Sequence, residues 1–250
     1  MIQDSARSVV GVDFSTSPKK TWGAFGEVND AGRLRIHELR GGLTDKDLLA
    51  VSEEGHRVIA LDVPFGWPDQ FVSFVSHHHQ GRQPPAVASD DFQLRVTDRV
   101  ILQRLRKRPL SVSTDKLGVT AHRATNLLRS FITCDVIPLW SKGNRTMVIE
   151  VYPAATLIAL GIDPRGNKKE SSHRRRILHQ LANVDVGNTQ DVQACIDNAD
   201  ALDAVICALT ARLCLDGNLI GPPDDDIVRR EGWIFAPPGG GTAESEFRDD

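Results

Sequence analysis

Apolar residues run almost unbroken through 8–14 (SVVGVDF) and 58–63 (VIALDV). Such runs mark strands covered on both faces rather than one. Residues 21–28 and 33–40 alternate more loosely around the turn Asn29-Asp30-Ala31-Gly32, and 44–54 carry the spacing of a short helix. Together these predict three meandering antiparallel strands, a crossover helix and a central parallel strand that Pro64, Gly66 and Pro68 bring to a stop. Residues 147–152 resume the sheet, and AATLIAL is a short helix ended by Gly161. A polar, basic connection over 163–176 leads into helical patterns at 173–182 and 196–216. Between the fourth and fifth strands, residues 69–146 read as an insertion. Its helical patterns at 92–108 and 120–133 are separated by Pro109 and a polar stretch, and it is assigned to a helical cap. The expectation is an α/β domain over 1–236, with a mixed five-stranded sheet flanked by helices, and a disordered tail over 237–250 (PPGGGTAESEFRDD).

Three aspartates interrupt this apolar pattern. Asp13 closes the first strand, Asp62 closes the central one, and Asp203 lies inside the last helix among Ala, Val and Ile. A carboxylate buried in an apolar element costs several kcal/mol unless a cation or dense hydrogen bonding meets it. Asp200 stands three residues before Asp203 and shares its face, opposite the stripe of Leu202, Val205, Ile206, Leu209 and Leu213. Asp200 alone suits the first turn of a helix capped by Asp197 or Asn198. Asp203 lies a turn deeper, where Asp is a poor helix former. The set reads as a site for a hard divalent cation, Mg²⁺ or Mn²⁺. Glu150, in the β-branched fifth strand, is either a further ligand or an edge-strand acid facing solvent.

Charge is near balance overall, yet residues 65–146 carry 12 Lys or Arg against 6 Asp and no Glu. That asymmetry fits a surface attracting phosphate beside a site holding cations, or simply a solvated helix face. Within the segment, Arg95, Arg99, Lys116 and Arg123 are candidates for a polar substrate wall, Arg being suited to bidentate phosphate contact. The plainer account is helix capping by Thr97 and Thr120 with surface arginines. His77, His78 and His79 read as an exposed loop, and His56, His122 and His173 as lone surface or packing residues. The run His173-Arg174-Arg175-Arg176 starts a helix and is a weaker candidate for backbone contact. The four cysteines show no CxxC spacing, so no zinc or disulfide framework is expected. The N-terminal MIQDSARSVV lacks a signal-peptide pattern, and no stretch approaches the roughly 20 apolar residues of a membrane span. The expected setting is cytoplasmic, without membrane association.

VVGVDFS, ALDVPFGWP, VIEVYPAATL and DALDAVICALTA, taken in order, resemble a poorly characterised bacterial family labelled predicted nuclease of ribonuclease H fold. The last helix, with its DxxD spacing, is also similar to that of Holliday-junction resolvases. The resemblance implies a ribonuclease H-like sheet and metal-dependent hydrolysis of phosphodiesters in DNA or RNA by two ions. Asp13 is then the acid bridging both ions, Asp62 the central-strand acid, and Asp200 with Asp203 the helix pair. Asp rather than Glu at the central strand, and the long insertion after it, depart from resolvases. Two other readings stand beside the nuclease. One is an actin-like or sugar-kinase-related ATP-binding phosphotransferase, which GVDFSTSPKK loosely fits. The other is a nucleic-acid-binding module without turnover.

Overall fold

The computed structural model describes residues 7–53, 58–113, 115–133, 137–138, 146–167 and 169–239. The chain opens with β1 (Ser8–Asp13), β2 (Trp22–Val28), β3 (Leu34–Gly41), α1 (Asp45–Glu53) and β4 (Val58–Asp62). Four helices follow, α2 (Asp69–His79), α3 (Ser89–Gln93), α4 (Val96–Leu105) and α5 (Asp115–Thr133). Then come β5 (Ile137–Pro138), β6 (Met147–Val151), α6 (Pro153–Ala159), α7 (Ser171–Gln180) and β7 (Val184–Val186). The chain finishes with α8 (Thr189–Asp197), α9 (Ala199–Leu215), α10 (Asp225–Glu231) and β8 (Ile234–Phe235).

All eight described strands join one mixed sheet in the order β5-β6-β4-β1-β2-β3-β7, with β8 paired to β6. β1, β2 and β3 are antiparallel neighbours, while β4 runs parallel to both β1 and β6. The expected five strands are therefore eight. The added β5, β7 and β8 are two or three residues long, too short for any alternation to register in the sequence.

The apolar runs of β1 and β4 follow from burial on both faces. Val9, Val58 and Ala60 pack with α9 on one side. Val10, Val12, Ile59 and Leu61 pack on the other with Leu48 and Val51 of α1 and Leu127 and Phe131 of α5. Thus α5, although it belongs to the inserted segment, covers the sheet, whereas α4 and the turn after it lie over the strand ends. α9 is buried almost all round, as an apolar helix against a sheet must be. Its closest approach is at Gly11, where an added Cβ would lie 2.0 Å from the Ala208 nitrogen and 2.3 Å from the Ala204 oxygen. Gly11 thereby lets α9 lie directly on β1 and fixes its first turn beside the carboxyl ends of the strands.

Several local expectations change. The 92–108 pattern splits into α3 and α4, and the 196–216 pattern is preceded by a separate α8 that Asn198 divides from α9. The run His77–His79 is the last turn of α2 rather than a loop, with His77 Nδ1 2.8 Å from the Ser73 oxygen. His56 and residues 240–250 of the tail lie outside the described residues. Among the described residues, no helix is long and apolar enough to cross a membrane.

Candidate functional site

β1 and β4 run side by side in parallel and in register, so Asp13 and Asp62 are direct neighbours at their carboxyl ends. Side chains alternate along a strand, and Val9, Val58 and Ala60 face α9. Asp13 and Asp62 are an even number of residues further on, so they face α9 too. Asp13, Asp62 and Asp200 line one cleft of about 390 Å³. Asp203 is not part of its lining; it is 4% exposed and accepts a hydrogen bond of 2.9 Å from Asn167 Nδ2. Asn198 caps α9 by accepting from the Asp200 N–H, which orients that first turn.

Two residues that sequence reasoning missed complete the surroundings. Tyr152, directly after β6, lines the cleft, and its phenol is pushed up to about 12 by burial, with the charges of Asp62, Asp203 and Asp98 adding to the effect. The hydroxyl therefore stays protonated, a hydrogen-bond donor beside carboxylates. Asn167 lies in the turn after α6, where Arg174 donates to its backbone oxygen and to those of Ile196 and Asp197. Its Oδ1 is buried without a hydrogen-bond partner. Tyr152 was visible as the only tyrosine of the chain, within VIEVYP; nothing in the sequence singled out Asn167. Arg174, read as part of a surface basic run, is 6% exposed and structural.

The substrate-wall arginines find other employment. Arg95 is 2% exposed, and all five of its N–H donors are committed to Asp98, Glu150 and the Glu231 carbonyl. It is a structural cation, not one awaiting a substrate. Glu150 neither faces solvent nor stands open as a ligand. By the alternation of β6 it starts on the opposite sheet face from Asp62. Its Oε1 and Oε2 receive Arg95 at 2.7 and 2.9 Å, and Oε2 also receives the Phe65 N–H at 3.0 Å. Burial pushes its carboxyl up, against the pull of Arg95. Gly232, at φ 76°, leaves room for this cluster, since a Cβ there would lie 2.6 Å from Glu150 Oε2. Arg99 is a surface partner of Asp91 at 2.7 Å. Arg123 fastens α5 to the loop after β1: it donates to the Ser15 carbonyl and Asp45 and stacks 4.3 Å from the Phe14 ring centroid. Lys116 lies on α5, its side chain outside the described residues.

The cleft thus carries carboxylates with no uncommitted cation among its lining residues. Among the described residues, no three His, Cys, Asp or Glu side chains are grouped to hold a metal ion as they stand. A magnesium site asks for less, one or two carboxylates with water completing the octahedron. The donor chemistry fits such an ion, because the titratable groups lining the cleft include neither thiol nor imidazole.

A family model described as a protein of unknown function, DUF429, matches residues 11–227. The chain belongs to the DUF429 family. No curated protein and no solved structure matches it. The matched span of this DUF429 chain runs from within β1 into α10, and so contains every acid of the cleft.

Proposed function

We propose that this protein is a Mg²⁺- or Mn²⁺-dependent nuclease with a ribonuclease H-like fold. The observation carrying this reading is the register pairing of Asp13 with Asp62 in a cleft that Asp200 also lines. The strand order supports the fold assignment: an antiparallel β1-β2-β3 meander continued by parallel β4 and β6 on the far side of β1. An anionic phosphodiester would be repelled by this acid floor unless cations neutralise it, and Arg95 is not free to do so. Asp13 and Asp62, with Asp200, are the residues that would hold the ions. Bound there, such ions supply a deprotonated water at neutral pH and positive charge for the leaving oxygen. Asp203, buried and held by the Asn167 amide, would add negative charge near Tyr152 and the cleft. Tyr152 offers a neutral hydroxyl to a substrate oxygen.

The test is cleavage of single-stranded and duplex DNA and RNA with and without Mg²⁺ or Mn²⁺. Asp13→Asn and Asp62→Asn are expected to lose metal-dependent cleavage by at least two orders of magnitude, in the range of removing a principal catalytic group. Variants that cleave like the parent overturn the assignment. A second reading, an ATP-binding phosphotransferase, is favoured by Ser15 and Thr16, which line the same cleft immediately after Asp13. Tight ATP binding by calorimetry, without nucleic-acid binding, would select it.

A further inference from the structure

Arg95, Arg99 and Arg123 are engaged within the protein, but a different set of cations immediately precedes two residues of the cleft lining in the chain. The chain leaving α4 reads Arg104-Leu105-Arg106-Lys107-Arg108-Pro109-Leu110, and its last two residues line the cleft that holds Asp13 and Asp62. Arg108 pairs with Asp90 at 2.8 Å. Arg104 and Arg106 are exposed and Lys107 is half-buried; none of the three has a carboxylate partner among the described residues. The segment is pinned at both ends. Leu105 is buried with Ile101, Ala155 and Ile234, and Ser111 Oγ donates to the Gln93 carbonyl at 2.8 Å. Between these anchors Leu110 is 54% exposed and lines the cleft that holds Asp13, Asp62 and Asp200.

Arg106 carries a second signal. It is the one non-glycine with positive φ among the described residues, at φ 53°, directly after the end of α4. Helices that end this way commonly place glycine there, because a side chain in the left-handed region is disfavoured. An arginine held in that conformation, with no partner among the described residues, points to a ligand outside the chain.

We propose that segment 104–110 grips an unpaired nucleic-acid strand: Arg104, Arg106 and Lys107 take backbone phosphates, while Leu110 meets the face of the base entering the cleft. This rests on the nuclease reading and narrows its substrate. A base within a duplex keeps both faces in the stack and cannot offer one to Leu110, whereas an unpaired base can. The neighbouring phosphates, repelled by the acid floor, are met by cations three to six residues from Leu110 in the chain.

The experiment is fluorescence anisotropy of a short labelled oligothymidylate in EDTA, so that no cleavage occurs, across a series of salt concentrations. The parent is expected to bind it more tightly than a duplex of matching length. Replacing both Arg106→Gly and Lys107→Ser is expected to flatten the slope of log affinity against log salt by about 0.7 for each phosphate no longer neutralised. Arg106→Gly alone is expected to raise the melting temperature while weakening binding, a pair of opposite signs that misfolding cannot produce. Arg99→Ser, removing a surface arginine already paired with Asp91, is expected to bind as the parent does. An unchanged salt slope, or a duplex bound as tightly as the single strand, overturns the grip whatever happens to cleavage. Intact, loop-dependent binding with no metal-dependent cleavage sustains the grip and overturns the nuclease reading alone.

Discussion

Asp13 and Asp62 occupy the same register position on neighbouring parallel strands, with backbones roughly 4.8 Å apart. Two carboxylates so placed at the end of a sheet share one neighbourhood, and on the proposed reading a divalent cation would favour the folded state that brings them together. Mg²⁺ is therefore expected to raise the melting temperature. At a hundredfold excess over the dissociation constant the gain is about 2.7 kcal/mol. Asp13→Asn should remove most of that response in a thermal scan. Equal responses from variant and parent would take these two acids out of the metal site.

Gly11 sets how closely α9 approaches the sheet, and so where Asp200 and Asp203 stand. Gly11→Ala would drive a methyl to 2.0 Å from the Ala208 nitrogen, a clash with backbone that no rotamer change relieves. A loss of about 3 kcal/mol or more is expected, beyond ordinary overpacking because helix and strand must separate. Urea unfolding monitored by circular dichroism measures it; a loss under about 1 kcal/mol would mean that α9 shifts freely.

The buried cluster of Arg95, Asp98 and Glu150 joins the start of α4 to β6, and Arg95 also reaches the end of α10 through the Glu231 carbonyl. Glu231 contributes separately, accepting the N–H groups of Asp69 and Val96 at the starts of α2 and α4. Removing the guanidinium strands two buried carboxylates, so Arg95→Met is expected to cost about 3–5 kcal/mol. Arg95→Lys keeps the charge but not the fork of donors and should fall between. If Arg95→Met unfolds at the parent's urea concentration, the cluster does not hold these elements together.

Tyr152 is the only tyrosine, so tyrosinate absorbance reports on it alone. Its midpoint is expected near 12 in the folded protein and about 10 in urea. The folded state holds the proton more tightly, so this stabilising contribution is complete below pH 10 and is lost as pH rises from about 10 to about 12. Tyr152→Phe should lack that loss, and Asp62→Asn should lower the midpoint by removing a nearby negative charge. A folded-state midpoint near 10 would place the phenol away from the acids.

Much of this arrangement is legible in residue order because burial leaves a mark. β1 and β4 show as apolar runs, α9 as a long apolar helix, and an acid at the end of each strand stands out against both. What residue order does not carry is the partner. A strand carboxylate looks the same whether it meets a metal or a guanidinium, and Glu150 meets Arg95, 55 positions away in sequence. Arg95 likewise reads as a surface cation until the fold draws it inside, and the break between α3 and α4 falls at Leu94 and Arg95, where no glycine or proline marks it. Asn167 reaches Asp203 from a turn with no periodicity to announce it. The cations of segment 104–110 read in the sequence only as part of a basic stretch; that the segment runs into the cleft shows only in the fold, where Pro109 and Leu110 line it.

On the proposed reading, the carboxylates ending β1 and β4 hold divalent cations, and anomalous diffraction from crystals soaked in Mn²⁺ would locate them. The expected result is a strong peak at coordination distance from Asp13 and Asp62, reduced in Asp13→Asn crystals. A cleft with no anomalous peak at millimolar Mn²⁺, or manganese bound only at sites remote from both residues, would contradict it.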